Sequence, residues 1–279
     1  MINMQNITFG YQKSQTLFTD LSLQIPDGGI YGLLGKNGAG KTSLLKILSG
    51  LVFPQSGNCQ VFDTAPKQRK PAFLADLYLL PEDLYVPPIT AREYCQQYAP
   101  FYPKFDSAIY TDATKQFEIQ ENKLLTEMSH GQKKKFLIAF GIATKARLFI
   151  LDEPTNGLDI PSKTLFRQML ATHFCDDRIF IISTHQVHDI QNLIDHIILL
   201  ENGRIIFKHP TIELSQRLSF SRQTTEPRHD ECLYYEEQLG GYIVINENRG
   251  QQETEIDLEV LFNALLTNSH TFEKVLKQR

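Results

Sequence analysis

Long hydrophobic runs are missing from this sequence. No apolar stretch approaches the ~20 residues needed to span a bilayer. The richest, Ile179-Phe180-Ile181-Ile182 and Ile197-Ile198-Leu199-Leu200, are strand-length. The first residues, Met1-Ile2-Asn3-Met4-Gln5-Asn6, show no basic region followed by an apolar core, so no signal peptide is expected. The protein is therefore expected to be soluble, with any membrane role reached through a partner. Cysteine is scarce: the four residues, Cys59, Cys95, Cys175 and Cys232, are scattered and form no C-x-x-C pair. That argues against a disulfide framework or a cysteine metal site, and for free thiols of a reducing compartment. Positive charge is not in excess. The net charge is −4, which supplies no overall basic field for nucleic acid. Internal repeats and low-complexity tracts are absent as well.

What is present is a globular composition. The chain has 279 residues, 42% of them hydrophobic and 22% charged. That is ample for one good core plus an appendage. Period-two alternation over Asn6–Tyr11 and Leu21–Ile25 predicts short strands near the start. Strands are also expected around Gly57–Phe62 and over Leu77–Leu80, the latter stopped by Pro81. From about 83 to 145 the period becomes helical, with Thr90 and Asp106 as N-caps and a third helix starting near Ser129. Leu148–Leu151 and Ile179–Ser183 are near-continuous apolar runs, suited to central parallel strands covered on both faces. A helix from Pro161 to His173 fits between them, with Pro161 in its first turn. The last stretch changes character. Residues 221–279 carry 11 acidic and 6 basic side chains, two predicted strands around Gly240-Gly241, and an amphipathic helix over Ile256–Leu276.

Two motifs carry chemistry. Gly35-Lys36-Asn37-Gly38-Ala39-Gly40-Lys41-Thr42 matches G-x-x-x-x-G-K-[ST]. An apolar strand, Ile30–Leu34, precedes it, and a helix begins at about Ser43. Strand, glycine loop and helix in that order aim backbone N–H groups and a positive helix end at a triphosphate. Gly38 and Gly40 let the backbone approach the phosphates. Lys41 is a mobile charge for the outer phosphates, and Thr42 offers a hydroxyl to Mg²⁺. The second motif is Leu148-Phe149-Ile150-Leu151-Asp152-Glu153, which delivers two carboxylates to the C-terminal end of a buried strand, where parallel sheets hold their ligands. Asp152 suits Mg²⁺ and Glu153 is placed to polarise an attacking water. His185 follows the next buried strand, within reach of a terminal phosphate. Tyr11 offers an aromatic face to a base. Ser129-His130-Gly131-Gln132 opens a helix and supplies a second anion-binding N-terminus. The Lys133-Lys134-Lys135 run reads as a solvated helix face.

In this order the motifs resemble the ATP-binding subunit of an ABC transporter, over about residues 1–220. Pro154–Asp159 resembles the family's D-loop, Ser183-Thr184-His185 its switch-histidine motif, and Met128–Gln132 its signature motif. Tyr11 matches the aromatic residue that stacks on adenine. The resemblance implies an α/β fold: a P-loop NTPase (RecA-like) core with an antiparallel β subdomain and an inserted α-helical subdomain. A small α+β C-terminal appendage over 221–279 would follow. It implies ATP and Mg²⁺ as cofactors. The nucleotide would contact Tyr11, Gly35, Asn37, Gly38, Ala39, Gly40, Lys41, Thr42, Ser43, Ser129, Gly131, Gln132 and Asp159. Thr42, Glu82 and Asp152 would serve the metal; Glu153, His185 and Lys41 would carry catalysis. Because the signature completes the opposite subunit's site, it implies a homodimer or a heterodimer with a related ABC subunit, with Asp159 coupling the two sites. The helical insertion and the Glu82 loop would face an integral membrane permease, with the Pro-rich, aromatic Asp83–Pro88 segment suited to a contact, placing the protein in the cytoplasm at the inner face of the membrane; no nucleic acid is expected. Two positions depart from the family: His130 stands where Gly is usual, and Glu82 where Gln is usual. The Leu-Pro-Glu form of that loop resembles ABC-2-type exporters. A soluble, non-transport ABC switch is the alternative, and a nucleotide-binding module with little hydrolysis a third.

Overall fold

The computed structural model describes residues 1–12, 14–26, 28–228, 231–250 and 253–277. Residues 229, 230, 251, 252, 278 and 279 of the expected C-terminal unit lie outside them. Alternation sets the first sheet. β1 (Ile2–Phe9) buries Ile2, Met4, Ile7 and Phe9, and β2 (Phe18–Ile25) buries Phe18, Leu21, Leu23 and Ile25. Period two holds within Ile2 and Met4, within Ile7 and Phe9, and over Leu21–Ile25; a left-handed residue in each strand, Asn6 at φ 51° and Asp20 at φ 53°, falls in the odd step and keeps both parts on one face. β3 (Gly29–Leu34) is buried at every residue and leads into α1 (Lys41–Leu48). β4 (Ser56–Val61) returns to β1, closing an antiparallel sheet in the order β2-β1-β4.

α2 (Pro71–Ala75) starts on proline, as a first helical turn allows, and is followed by β5 (Leu77–Leu80). Three helices come next. α3 (Ala91–Tyr98) is entered through a capping box at Thr90 and Glu93, and α4 (Ser107–Gln116) through Asp106. α5 (His130–Ala143) has a second capping box, formed by Ser129 and Gln132. Each cap satisfies N–H groups that would otherwise lack partners. α5 crosses β5 at Gly141, against the ring of Tyr78, whose hydroxyl donates to Leu137 O at 2.6 Å.

β6 (Leu148–Asp152), α6 (Ile160–His173), β7 (Ile179–Thr184), β8 (His196–Glu201) and β9 (Arg204–Pro210) complete the main sheet. Its order is β5-β6-β7-β3-β8-β9, with only β9 antiparallel to its neighbour. The continuous apolar runs alternate between two cores. Ile150, Ile181 and Ile198 join α1 and the antiparallel sheet on one face, while Phe149, Phe180 and Ile197 join the helical layer on the other. Burial on both faces is why these strands show no polar alternation.

α7 (Thr211–Arg217) leads to a small antiparallel sheet of β10 (Leu218–Gln223), β11 (Tyr234–Gln238) and β12 (Gly241–Glu247), ordered β10-β12-β11. α8 (Leu258–Lys277) closes the chain. It starts at 258 rather than 256 because Asp257 Oδ1 accepts from Glu259 N and Val260 N, an N-cap arrangement. Asn268, at φ −156°, kinks it. Leu258, Leu261 and Leu265 close on Leu34, Ile197 and Leu199 of the main sheet. His209 further ties β9 to α7 and α8, at 3.0 Å from Glu213 and 3.0 Å from Glu273. The terminal elements thus share the helical-side core of the main sheet, and position 220 lies inside β10. Among the described residues no helix is long and apolar enough to cross a membrane.

Candidate functional site

The C-terminal ends of β3, β6 and β7 converge on one edge of the main sheet. From β3 the chain passes through residues 35–40 into α1, which has no side-chain cap. Its first-turn amides therefore have no side-chain acceptor at the cap position, the condition an anion exploits. Gly40 reaches φ 108°, and a Cβ there would strike the buried Phe18 ring at 2.6 Å, so only glycine fits. Gly38 is also in the left-handed region, with open space around it; Asn37 is exposed and Ala39 buried. Gly35 packs against the backbone of Leu200. Lys41 is buried, and its Nζ donates to Gly35 O at 2.7 Å and Lys36 O at 3.3 Å. Burial lowers its pKa, opposed by the charges of Glu153, Asp152 and Glu82. Thr42 is half-buried on the same turn, and Ser43 Oγ donates to the Tyr11 hydroxyl at 3.2 Å. Tyr11 lies just past β1 rather than on it, 62% exposed and edge-on to Phe9. Its ring face stays open beside the first turn of α1.

β6 and β7 pair Asp152 with Ser183, and Ser183 Oγ donates to Asp152 Oδ1. Asp152 is 2% and Glu153 4% exposed. Glu153 takes φ 47°, uncommon for a residue with a side chain. Its carboxylate is held on both oxygens. Oε2 accepts from Thr184 Oγ1 at 3.1 Å; Oε1 accepts from His185 N at 3.1 Å and lies 2.8 Å from His185 Nδ1. Lys41 Nζ stands 4.0 Å from the same Oε1. Lys41, Asp152, Glu153 and His185 are therefore brought together. Glu82 is exposed on the loop after β5, and its charge acts on Lys41. Among the described residues no three His, Cys, Asp or Glu side chains form a metal site by themselves. Thr42, Asp152 and Glu82 are all oxygen donors, the ligand type taken by a hard cation that shares its shell with phosphate oxygens.

A second group forms at the start of α5. Ser129 Oγ accepts from Gln132 N at 3.2 Å, and Gln132 Oε1 accepts from Ser129 N at 3.1 Å. His130 lies against Gly157, and a Cβ on Gly131 would fall 2.7 Å from Gly157 O. The His130 ring is thus turned onto its own chain's 153–159 loop. Asp159 caps α6 through Ser162 N at 3.0 Å and lies 3.5 Å from Lys135 Nζ; the Ser162 hydrogen bonds hold its carboxyl below the usual range. Among the described residues no hydrogen bond or ion pair joins Ser129, Gly131 or Gln132 to residues 35–43.

The lysine run is not the solvated face expected for it. Lys134 is 0% exposed, and its Nζ donates to Glu153 O at 2.8 Å and Asn156 O at 2.9 Å. The sequence hid this because the flanking lysines point elsewhere on the helix, and residues one apart do not share a face. Ser183 and Thr184 also serve the acidic pair directly. Their place beside the switch histidine was visible, but their cross-strand partners were not.

A glycine loop between a central strand and a helix, with a buried acidic pair on the next strand but one, defines a P-loop ATPase. The family model described as ABC transporter matches residues 18–156. The SkfA peptide export ATP-binding protein SkfE of Bacillus subtilis is 33% identical over 217 residues, covering 74% of this chain and 87% of its own. The bacitracin transport ATP-binding protein BcrA of Bacillus licheniformis is 29% identical over 258 residues, 88% of this chain and 83% of its own. A dimeric ATP-binding cassette solved with ADP and phosphate shares the fold at TM-score 0.65 and 20% identity, covering 75% of this chain and 98% of its own. The chain belongs to the ABC transporter family, as an ATP-binding ATPase subunit.

Proposed function

We propose that this subunit powers an exporter by hydrolysing MgATP held between two cassettes. One observation carries the hydrolytic assignment: Glu153 is buried, oriented by Thr184 and His185, and set 4.0 Å from Lys41. Gly35–Ser43 holds the phosphates, and Lys41 balances their charge. Thr42, Asp152 and Glu82 would hold Mg²⁺, which would supply charge neutralisation on the phosphate oxygens. Glu153 orients the attacking water, and His185 passes the presence of the terminal phosphate to it. Tyr11 covers the base. Protein groups here position and stabilise charge, which is most of what phosphoryl transfer needs.

Ser129, Gly131, Gln132 and Asp159 act on the nucleotide of a second subunit. Among the described residues no hydrogen bond or ion pair joins them to this chain's own phosphate loop, which supports that reading, as does the dimeric form of the similar cassette. The export direction is supported by the peptide-export relative. Membrane attachment then runs through a permease that receives the 83–145 helical layer, where Tyr85 and Phe101 are exposed. Residues from β10 to α8 form an accessory unit built onto the cassette. The test is Glu153→Gln. Phosphate release is expected to fall by about 10²-fold or more with ATP binding retained. Undiminished turnover would refute the assignment.

A further inference from the structure

Lys134 has no part in the site as assigned above, yet it is the most deeply buried cation of the chain's active edge. A lysine is almost never fully buried unless it is paired. Here the partners are two backbone carbonyls, Glu153 O at 2.8 Å and Asn156 O at 2.9 Å. The choice of carbonyls matters. Glu153 sits at φ 47°, where a side-chain-bearing residue is strained. Something must hold it there. From one side, its N–H donates to Ser183 O at 3.0 Å on β7. From the other, its C=O accepts from Lys134. The same carbonyl receives Asn156 N at 3.3 Å, closing a turn over 153–156, and Lys134 ties both ends of that turn to one ammonium.

We infer that Lys134 is a positioning residue for Glu153: its ammonium fixes the left-handed turn that aims the Glu153 carboxylate into the phosphate site. This rests on the assignment of Glu153 as the water-orienting group. Lys134 lies one turn into α5, whose start carries Ser129, Gly131 and Gln132. A displacement of α5 is therefore transmitted to the backbone of Glu153 through a charge-assisted pair of hydrogen bonds, the stronger kind. Lys135 and His130 brace the rest of the same loop, at Asp159 and Gly157.

The experiment is a double-mutant cycle on the purified full chain, with Lys134→Met, Glu153→Gln and the pair together. Lys134→Met keeps the stem and removes both donors. It is expected to lower kcat by about ten- to hundredfold, since small misplacements of a reacting group cost that much, while KM and the affinity for ATP stay within about twofold. Combined with Glu153→Gln, it is expected to add less than about twofold to the residual single-turnover rate, because the group it positions is already gone. Lys134→Gln, whose amide reaches one carbonyl, is expected to fall between and provides the same readouts if the Met variant does not fold. An unchanged kcat, a parallel loss of ATP affinity, or an equal loss in both backgrounds would overturn the inference. Wild-type turnover in Glu153→Gln alone would instead overturn the assignment of Glu153.

Discussion

Replacing Gly141 by alanine tests how α5 is seated on β5. A Cβ at Gly141 would lie 2.7 Å from both Cδ1 and Cζ of Tyr78, and closer still to Cε1. The ring cannot simply step aside. Its hydroxyl donates to Leu137 O at 2.6 Å, and its face stacks on Phe149 at 5.2 Å and 17°. Overpacking of this kind costs about 1–3 kcal/mol. The gain in helix propensity from Gly to Ala returns up to about 1 kcal/mol. Escape of the ring would forfeit the hydroxyl bond, worth about 1 kcal/mol net. The balance is a destabilisation of about 1–2 kcal/mol, or about 2–8 °C in Tm for a chain of this size. ATPase activity should fall with it, because β5 leads into Glu82 and α5 begins beside Ser129. Thermal melts and phosphate release measure both. Shrinking the obstacle with Tyr78→Leu should abolish the extra cost of Gly141→Ala, giving strong non-additivity. A Gly141→Ala variant melting at or above the parent would refute the packing argument.

Three further outcomes are expected. Ser129→Ala removes the Oγ acceptor of the α5 capping box, so stability should drop by about 1 kcal/mol, and nucleotide-driven dimerisation measured by light scattering should weaken; an unchanged dimer would remove Ser129 from the interface. Burial holds Lys41 below its ordinary 10.5. Between its folded value and 10.5 the unfolded chain binds the extra proton, so this group's contribution to stability rises with pH across that window, while ATP affinity falls as the ammonium is lost. Melts and ATP titrations taken upward toward pH 10.5 should diverge in this way, and the affinity loss should be absent in Lys41→Met. Burial also pushes the Cys59 thiol up to about 12. Alkylation of the native protein followed by mass spectrometry should label exposed Cys175 well before Cys59, and early labelling of Cys59 would contradict its burial.

Local chemistry was legible from the residues alone. The glycine loop, the caps at Thr90, Asp106 and Ser129, and the two-sided strands depend on neighbours within a few positions, where φ/ψ preference and apolar period decide the outcome. The sequence by itself therefore determined the strand–loop–helix around Lys41, the strand bearing Asp152 and Glu153, and the class of fold. Three-dimensional packing decided the rest. Ser183 meets Asp152, and Thr184 and His185 meet Glu153, only because β7 lies beside β6 in register, about thirty residues apart in the chain. Lys134, indistinguishable in type from Lys133 and Lys135, became a buried tie because α5 packs with that one face on the 153–156 turn. The terminal helix joined the cassette's core through contacts with β3 and β8. Contacts this distant depend on which faces are pressed together, and no short-range pattern in the chain encodes that.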